Sequence, residues 1–409
     1  MATSSVDRRS TTEPVRSITV DLAARIRRRR ESVGETRVVL DYHAISPIAH
    51  VDEPTNRGTV LERLLDYVDP VFDGRLPPNA YVWGPSGSGK SAVVTALLDQ
   101  LRRVGTRSGS VIHTSTRGGT NAAPALVYVD TRHASSEFGL YQTVLDGMLD
   151  ESVPKHGVGT DTLRSRLAET LADDRRLLVA FDHVDEPGTQ SLASLVSAFD
   201  GMADSLSWLA IGHRPPSELS IDGPPERIEV PAYRDLALVD ILTARASAGM
   251  ARRAIEHEQL RRIAVWADGN AHDALCVLFA AADEAALAGV SGVREHDLHV
   301  GMDALPRPAV SLGRVFALSV NRQQVLARLV EIDDDQRASV DAAATAVAAT
   351  PSVELSKGTV KRLLYELAEI GIVERVSEER SVGAGRSPSR LEPRFPTRVF
   401  GRLHGLANA

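Results

Sequence analysis

The sequence contains little cysteine and no long apolar run, and each shortage excludes a class of protein. The single cysteine among 409 residues, Cys276, excludes an internal disulfide framework and a cysteine-built zinc site. No apolar run approaches the roughly 18 residues needed to span a bilayer, and no signal-peptide pattern opens the chain. We therefore expect a cytoplasmic protein without a membrane partner.

Lysine is also scarce, since the chain has only Lys90, Lys155, Lys357 and Lys361. The net charge is −7, but residues 356–409 hold ten Lys/Arg against six Asp/Glu, a local +4 that leaves −11 for the rest. A basic end on an acidic body predicts a polyanionic partner at that end, although a solvated basic surface is an alternative.

A glycine-rich segment, residues 84–91, fits the phosphate-binding pattern G-x-x-x-x-G-K-[ST]. Residues 80–83 predict a buried strand before it, and residues 92–101 predict a helix after it, which makes an incidental glycine-rich turn a poor alternative. Lys90 would neutralise the β- and γ-phosphates, and the Ser91 hydroxyl would ligate Mg²⁺. The predicted cofactors are therefore ATP or ADP with Mg²⁺, held by Gly84, Pro85, Ser86, Gly87, Ser88, Gly89, Lys90 and Ser91.

The hydrophobic pattern divides the chain into four parts. Residues 1–36 are Ser/Thr/Arg-rich and predict a flexible basic arm. Over residues 37–232, strands predicted near positions 81, 127, 179, 209 and 229 alternate with helices, which indicates an α/β fold with a mostly parallel sheet. Residues 233–307 carry only helical periodicity and predict a small helical domain.

Residues 308–409 predict a winged helix-turn-helix domain. Helices are expected at 322–332, 340–348 and 358–370, followed by a hairpin of strands at 372–376 and 391–395. Such a domain binds DNA through its third helix and its wing, although a domain used for protein contacts is an alternative. The predicted DNA-binding residues are Lys357, Lys361 and Arg362 on the helix and Arg386 and Arg390 beside the hairpin tip.

A P-loop ATPase also needs an acidic residue at the end of a neighbouring strand to hold Mg²⁺ through water. The apolar run at 177–181 ends in Asp182, which we expect to hold the metal together with Ser91. Pairing Asp185 with Glu186 instead would bury Asp182 inside a strand at a large desolvation cost. His183 then stands where a catalytic glutamate is usual, and a histidine beside metal and triphosphate is a poor base.

These features together resemble an AAA+ ATPase of the archaeal origin-recognition (Orc/Cdc-type) replication-initiator family. Residues 70–79 are similar to the approach to the P-loop strand in that family, and residues 153–160 to its segment before the metal-binding strand. Residues 228–233, ending in Tyr233, resemble the join into its helical lid. The resemblance covers about residues 40–395 and implies a P-loop domain, an α-helical lid and a C-terminal winged helix.

The resemblance also implies roles for individual residues, with consistent departures. The sensor-1 asparagine of the family corresponds to His213, and its sensor-2 arginine to His272. With His183, three ATPase positions of the family are therefore histidines here. Tyr233 is implied as a nucleotide-contacting residue. These substitutions predict an ATP site whose hydrolysis is weak or lost.

The resulting hypothesis is an ATP- and DNA-binding initiator, nucleoid-associated in the cytoplasm, that recognises replication-origin DNA and uses ATP as a conformational switch. A replicative helicase and a second initiator copy are further candidate partners. The alternative is a P-loop signalling ATPase whose winged helix acts as a transcription regulator or a protein adaptor. A divergent regulatory paralogue on the same DNA is a third reading, while His183 argues against an active motor.

Overall fold

The computed structural model of the chain describes residues 37–51, 54–108, 123–149, 152–172, 175–219, 221, 226–377 and 389–408. The arm predicted for residues 1–36 and the wing residue Arg386 lie outside the described residues.

Five parallel strands form one sheet in the order β2-β3-β4-β1-β5. They have near-continuous apolar sequences, as parallel strands covered on both faces require, and every residue of β3 and β4 is buried. The order places the carboxyl ends of β1, β3 and β4 side by side, where α/β proteins bind their ligands. The strands are β1 (Ala80–Trp83), β2 (Ala125–Asp130), β3 (Leu177–Asp182), β4 (Leu206–Gly212) and β5 (Glu226–Glu229).

Helices cover both faces of this sheet because alternate strand residues point to opposite sides. On one face, Val82 and Leu209 pack with apolar side chains of the first two helices. On the other, Val179 and Phe181 pack with the remaining three. The helices are Gly58–Phe72 and Lys90–Ser108 on the first face, and Glu137–Met148, Thr160–Ala172 and Leu192–Ala198 on the second.

Four helices follow the sheet and form the predicted lid: Asp235–Gly249, His257–Ala267, Ala271–Leu287 and Glu295–Asp303. The described N-terminal segment, residues 37–51, packs against this lid. Ala251 donates its backbone N–H to the Val38 carbonyl at 2.9 Å. The buried guanidinium of Arg245 donates to the carbonyls of Ala44 and Ala49 at 3.1 and 2.6 Å. The segment is therefore fixed to the lid more than to the sheet.

The C-terminal region is a winged helix, with an antiparallel pair of strands that joins Val373 to Pro393. Gly371, at φ +73°, ends the third helix of the motif as the sequence predicts. Two helices of this region were not predicted from the sequence, Leu312–Phe316 before the motif and Thr397–Ala407 after it. The other elements are Val320–Glu331, Val340–Ala348, Lys357–Glu369, β6 (Val373–Ser377) and β7 (Ser389–Pro393).

The lid and the winged helix share one apolar core, in which lid residues such as Leu278 and Phe279 belong to the same cluster as Phe395 and Phe400. Arg402 of the last helix also pairs with Asp283 of the lid at 3.0 Å. The predicted fold class, an α/β P-loop sheet with a helical lid and a winged helix, is confirmed. Among the described helices, none has the length and apolarity to cross a bilayer.

Candidate nucleotide site and nucleic-acid interface

Three glycines give the segment after β1 a shape that side chains would block. A Cβ on Gly84 (φ +152°) would lie 2.1 Å from the Val230 carbonyl oxygen. A Cβ on Gly87 (φ +69°) would lie 1.8 Å from Asn270 Oδ1, and one on Gly89 (φ +82°) would lie 2.5 Å from the Tyr233 hydroxyl. The loop therefore needs glycine at all three positions. Together with the helix N-terminus that follows, residues Gly84 to Ser91 form a cradle of the size of a phosphate.

Lys90 begins the helix that leaves this loop, and only 5 % of it is exposed. Its Nζ donates to the carbonyls of Gly84 and Pro85 at 2.8 Å and lies 3.3 Å from His213 Nδ1. Burial lowers the pKa of Lys90 to about 8. The ammonium thus lies inside the loop, beside the residue at the sensor-1 position.

Asp182 is the last residue of β3, in the strand register that the sequence predicts, and is 1 % exposed. Tyr128 donates its hydroxyl to Asp182 Oδ2 at 2.6 Å, and the Ser91 side chain hydrogen-bonds the same carboxylate. Burial alone would raise the pKa of Asp182, but His183 and these hydrogen bonds outweigh it, so its pKa lies below the ordinary value. Ser91 and Asp182 together present oxygen donors that suit Mg²⁺, which takes few protein ligands beside phosphates and water.

His183 has a left-handed backbone, φ +63°, a conformation in which histidine is among the enriched residues. Its Nε2 lies 3.6 Å from Asp182 Oδ2 and its Nδ1 lies 3.4 Å from Glu186 Oε1. Burial opposes protonation, but the two carboxylates prevail and raise the pKa of His183. The imidazole is therefore biased toward the charged form.

Glu186 joins the site although sequence reasoning gave it no role there. Arg132, two residues beyond the end of β2, pairs with both Glu186 oxygens at 2.8 Å, and His213 Nε2 lies 3.3 Å from Oε1. The left-handed residues His183 and Asp185 turn the chain so that this carboxylate faces inward. The only signal in the sequence was the rejected pairing of Asp185 with Glu186.

His272 lies near the N-terminus of the lid helix Ala271–Leu287 and lines the same cavity. Its Nε2 accepts the Leu312 backbone N–H at 3.0 Å, and its Nδ1 lies 3.2 Å from Asp273 Oδ1. An Nε2 that accepts a hydrogen bond carries no proton, so the Nδ1–H tautomer fits this arrangement. The residue at the sensor-2 position therefore contacts the winged-helix region.

Arg57 is a second residue that sequence reasoning missed. It is buried, donates to the carbonyls of Ser88 and Pro231 at 2.6 and 2.8 Å, and lies 3.5 Å over the Tyr233 ring. This cation–π contact fixes Tyr233 beside Gly89. Arg57 thus joins the phosphate loop to the start of the lid.

Most of these residues line a cavity of about 900 Å³. The sheet and the glycine-rich loop supply its floor, and the lid with residues 47–51 supplies an apolar side. Residues 309–317 of the winged-helix region supply a third wall that sequence reasoning did not anticipate. Lining residues outside those already described include Ile48, His50, Ile241, Ala244, Leu275 and Phe316.

The predicted DNA-binding residues lie on a different part of the molecule, and each described one has an acidic partner. Lys357 and Lys361 both pair with Asp341, at 2.7 and 2.9 Å. Arg362 pairs with Glu366 on the same helix, and Arg390 pairs with Glu392 on β7. The helix buries Val360, Leu363, Leu364 and Leu367 and leaves this charged face toward solvent.

Residues 53–209 match the family of the AAA ATPase domain. Two curated relatives from Halobacterium salinarum are similar along nearly all of the chain. ORC1-type DNA replication protein 5 is 23% identical, with 86% of this chain and 88% of the relative covered. ORC1-type DNA replication protein 6 is 25% identical, with coverages of 87% and 92%.

Solved structures show the same fold. The Aeropyrum pernix ORC1 protein in complex with DNA has a TM-score of 0.59 at 19% identity, covering 91% of this chain and 98% of that one. Cdc6p of Pyrobaculum aerophilum has a TM-score of 0.52 at 16% identity, with coverages of 90% and 99%. The Aeropyrum pernix ORC2 protein in ADPNP–ADP complexes has a TM-score of 0.50 at 15% identity, with coverages of 91% and 100%. The resemblance to archaeal Orc/Cdc-type AAA+ ATPases is confirmed.

Proposed function

We propose that this chain is an ATP- and DNA-binding protein of the replication-initiator type, which recognises origin DNA and uses ATP as a conformational switch. The observation that carries the proposal is the joint presence of the Gly84 to Ser91 cradle, the buried Asp182 beside it and a winged helix. Relatives named ORC1-type DNA replication proteins share nearly the whole chain.

Nucleotide binding is supported by the fit of the site to its ligand. The loop exposes backbone donors at a helix N-terminus, Lys90 supplies the cation, and Ser91 with Asp182 supplies hard oxygen ligands for Mg²⁺. A neighbour of the same fold was solved in ADPNP–ADP complexes. When bound, Mg²⁺ would offset phosphate charge in this site.

DNA binding is supported by the charged face of the helix Lys357–Glu369 and by its place as the third helix of the motif. The neighbour with the same fold was solved with DNA. The residues that would contact DNA phosphates are Lys357, Lys361, Arg362 and Arg390. Their acidic partners are exposed and would compete only weakly with the phosphates for these side chains.

A switch is supported by three contacts between the nucleotide site and the winged-helix region. Leu312 donates its N–H to His272, and Arg132 donates to Ser311 Oγ at 3.4 Å. Arg314 donates to the Pro187 carbonyl at 2.9 Å, just beyond Glu186. It also donates to the carbonyl of Ile370, which directly follows the helix Lys357–Glu369, the proposed recognition helix. A change at the phosphates therefore has a direct physical route to the DNA-binding helix.

The switch is tested by measuring DNA affinity with ADP and with a non-hydrolysable ATP analogue. We expect the two affinities to differ several-fold, and Arg314→Ala to reduce that difference while both nucleotides still bind. Arg328→Ala is the matched control, because this partly exposed arginine of the same domain pairs with Glu331 on its own helix. Equal DNA affinities in both nucleotide states would contradict the switch.

Weak hydrolysis is supported by the state of His183. An imidazole whose pKa two carboxylates raise is biased toward its charged form and is therefore a poor acceptor for a proton from water. We expect turnover well below the typical range of about 1–10³ s⁻¹. His183→Glu should raise it, although the left-handed backbone costs a glutamate about 1 kcal/mol there. Fast hydrolysis by the wild-type protein, or no gain in the variant even with DNA present, would refute this account.

The origin role is tested by mapping where the protein binds in the chromosome. Enrichment at replication origins is the expected result, and pull-down of a replicative helicase or a second initiator copy would extend it. Enrichment at promoters alone would favour the alternative, a P-loop signalling ATPase whose winged helix regulates transcription or serves as a protein adaptor. The histidines at positions 183, 213 and 272, which stand where the family has other ATPase residues, favour that alternative mildly.

A further inference from the structure

Three basic side chains converge on the Glu186 carboxylate. Arg132 contacts both oxygens at 2.8 Å, His213 Nε2 lies 3.3 Å from Oε1, and His183 Nδ1 lies 3.4 Å from the same atom. The Glu186 side chain is 9 % exposed. So many donors around a nearly enclosed carboxylate keep it ionised.

This carboxylate lies on the phosphate side of the nucleotide cavity. The second nitrogen of His213 is 3.3 Å from Lys90 Nζ, so Glu186 is two contacts away from the P-loop lysine. A P-loop lysine reaches the β- and γ-phosphates. The basic side chains that surround Glu186 therefore line the part of the cavity where a terminal phosphate would lie, and the negative charge of Glu186 lines it with them.

We propose that Glu186 is a specificity-determining residue that biases this site toward nucleoside diphosphate over nucleoside triphosphate. The inference rests on the proposed binding of ATP and ADP. A γ-phosphate would compete with Glu186 for His213 and Arg132 and would be repelled by the carboxylate, whereas the β-phosphate of ADP stays within reach of Lys90 and the loop. The residue acts on affinity, not on the attacking water, because both of its oxygens are held by Arg132.

The decisive variant is Glu186→Gln, which keeps the shape and one acceptor oxygen but removes the charge. Affinities for Mg·ADP and for a Mg-bound non-hydrolysable ATP analogue would be measured by calorimetry. We expect the analogue to bind about tenfold more tightly, as the loss of one like-charge interaction near a protein surface predicts, and ADP affinity to change less than twofold. Equal changes for both nucleotides, or weaker binding of the analogue, would overturn the inference.

Asp185→Asn is the matched control, one residue away on the same turn. Asp185 Oδ1 accepts the Leu192 N–H at 3.4 Å, an acceptor that asparagine retains, and asparagine tolerates the left-handed backbone at this position. Since this change removes the same charge outside the Arg132 and histidine cluster, the ratio of the two affinities should stay within twofold of wild type.

A second variant covers the case in which Glu186→Gln leaves Arg132 buried without a counterion and the protein fails to fold. The double variant Arg132→Gln with Glu186→Gln removes both charges of this ion pair. It is compared with Arg132→Gln alone, which differs from it only in the charge at position 186 and leaves Glu186 beside His183 and His213. The ratio of analogue to ADP affinity should be higher in the double variant than in Arg132→Gln, and equal ratios would overturn the inference. If wild type binds neither nucleotide, the proposed function fails instead, which is a separate result.

Discussion

The nucleotide site and the recognition helix both depend on charged side chains, but they hold them in opposite ways. At the nucleotide site, Lys90 and Asp182 are 5 % and 1 % exposed and have several partners each. On the recognition helix, the side chains of Lys357 and Lys361 are 47 % and 40 % exposed and share the single partner Asp341.

Under the proposed function, the difference would let one chain hold a small anion tightly and exchange a large one. Buried charges are preorganised and costly to leave unpaired, so each removal should have a large effect. Exposed pairs contribute little by themselves, so in the proposed DNA complex phosphates would replace Asp341 at small cost. Variants at the two places should therefore differ in size of effect and in salt dependence.

The largest effect is expected for Lys90→Ala. It removes the only described cation that is bonded to the loop carbonyls of Gly84 and Pro85, and nucleotide affinity should fall about 100-fold or more, as for other buried charged contacts. Lys155→Ala, at an exposed lysine of the same domain, is the control and should bind normally. Calorimetric titration with ADP measures both, and retained affinity in Lys90→Ala would contradict the assignment of the cradle.

The pH dependence of the same site should also be large. Because the pKa of Lys90 is about 8 instead of 10.5, its ammonium is lost as pH rises through 8, whereas phosphate binding needs the protonated form. ATP affinity should therefore fall above pH 8, by up to about tenfold per pH unit. Lys90→Arg keeps its charge over this range, and its affinity should not show that slope. Affinity for wild type that stays level from pH 7 to 10 would argue against the low pKa.

A moderate effect is expected for Lys361→Ala in DNA binding. The loss of one exposed phosphate contact should weaken affinity for any duplex severalfold and reduce the slope of log affinity against log salt by about one. Fluorescence anisotropy over a salt series measures both quantities, with Lys155→Ala as the control. An unchanged salt slope would indicate that this helix does not contact DNA.

The smallest effect is expected for Asp341→Asn. It releases Lys357 and Lys361 from their shared partner, and DNA affinity should rise two- to fivefold, the range of a weak exposed ion pair. Asp335→Asn, at an exposed site that contacts neither lysine, serves as the comparison. Weaker DNA binding by Asp341→Asn would mean that Asp341 positions the lysines for DNA.

Much of the fold was accessible from local patterns. The five strands, the four lid helices and the three helices of the winged motif fall within a few residues of their predicted positions, because apolar runs and the residues that interrupt them are local properties of the sequence. The helices Leu312–Phe316 and Thr397–Ala407 were missed. The first is only five residues long, and the second, although clearly amphipathic with Val399 and Phe400 buried, follows the strand at which the predicted winged-helix motif ends.

For the candidate site, the sequence identified the residues whose chemistry follows from position along the chain. The phosphate loop, Asp182 and the histidines at 183, 213 and 272 come from motifs and from the family resemblance, and the structure brings them around one cavity. It places Lys357, Lys361, Arg362 and Arg390 apart from them, on the winged helix. Their functional roles stay predictions until the variants are measured.

The sequence by itself determined the layers of the fold and the cradle, because strand periodicity and glycine conformations are local properties. Only the tertiary structure decided how charges pair across elements that are distant in the chain. The contacts of Arg132 with Glu186, of His272 with Leu312 and of Arg314 with the carbonyls of Pro187 and Ile370 span 40 to 127 residues. Such pairings arise from packing of the sheet, the lid and the winged helix against one another, which no single segment encodes.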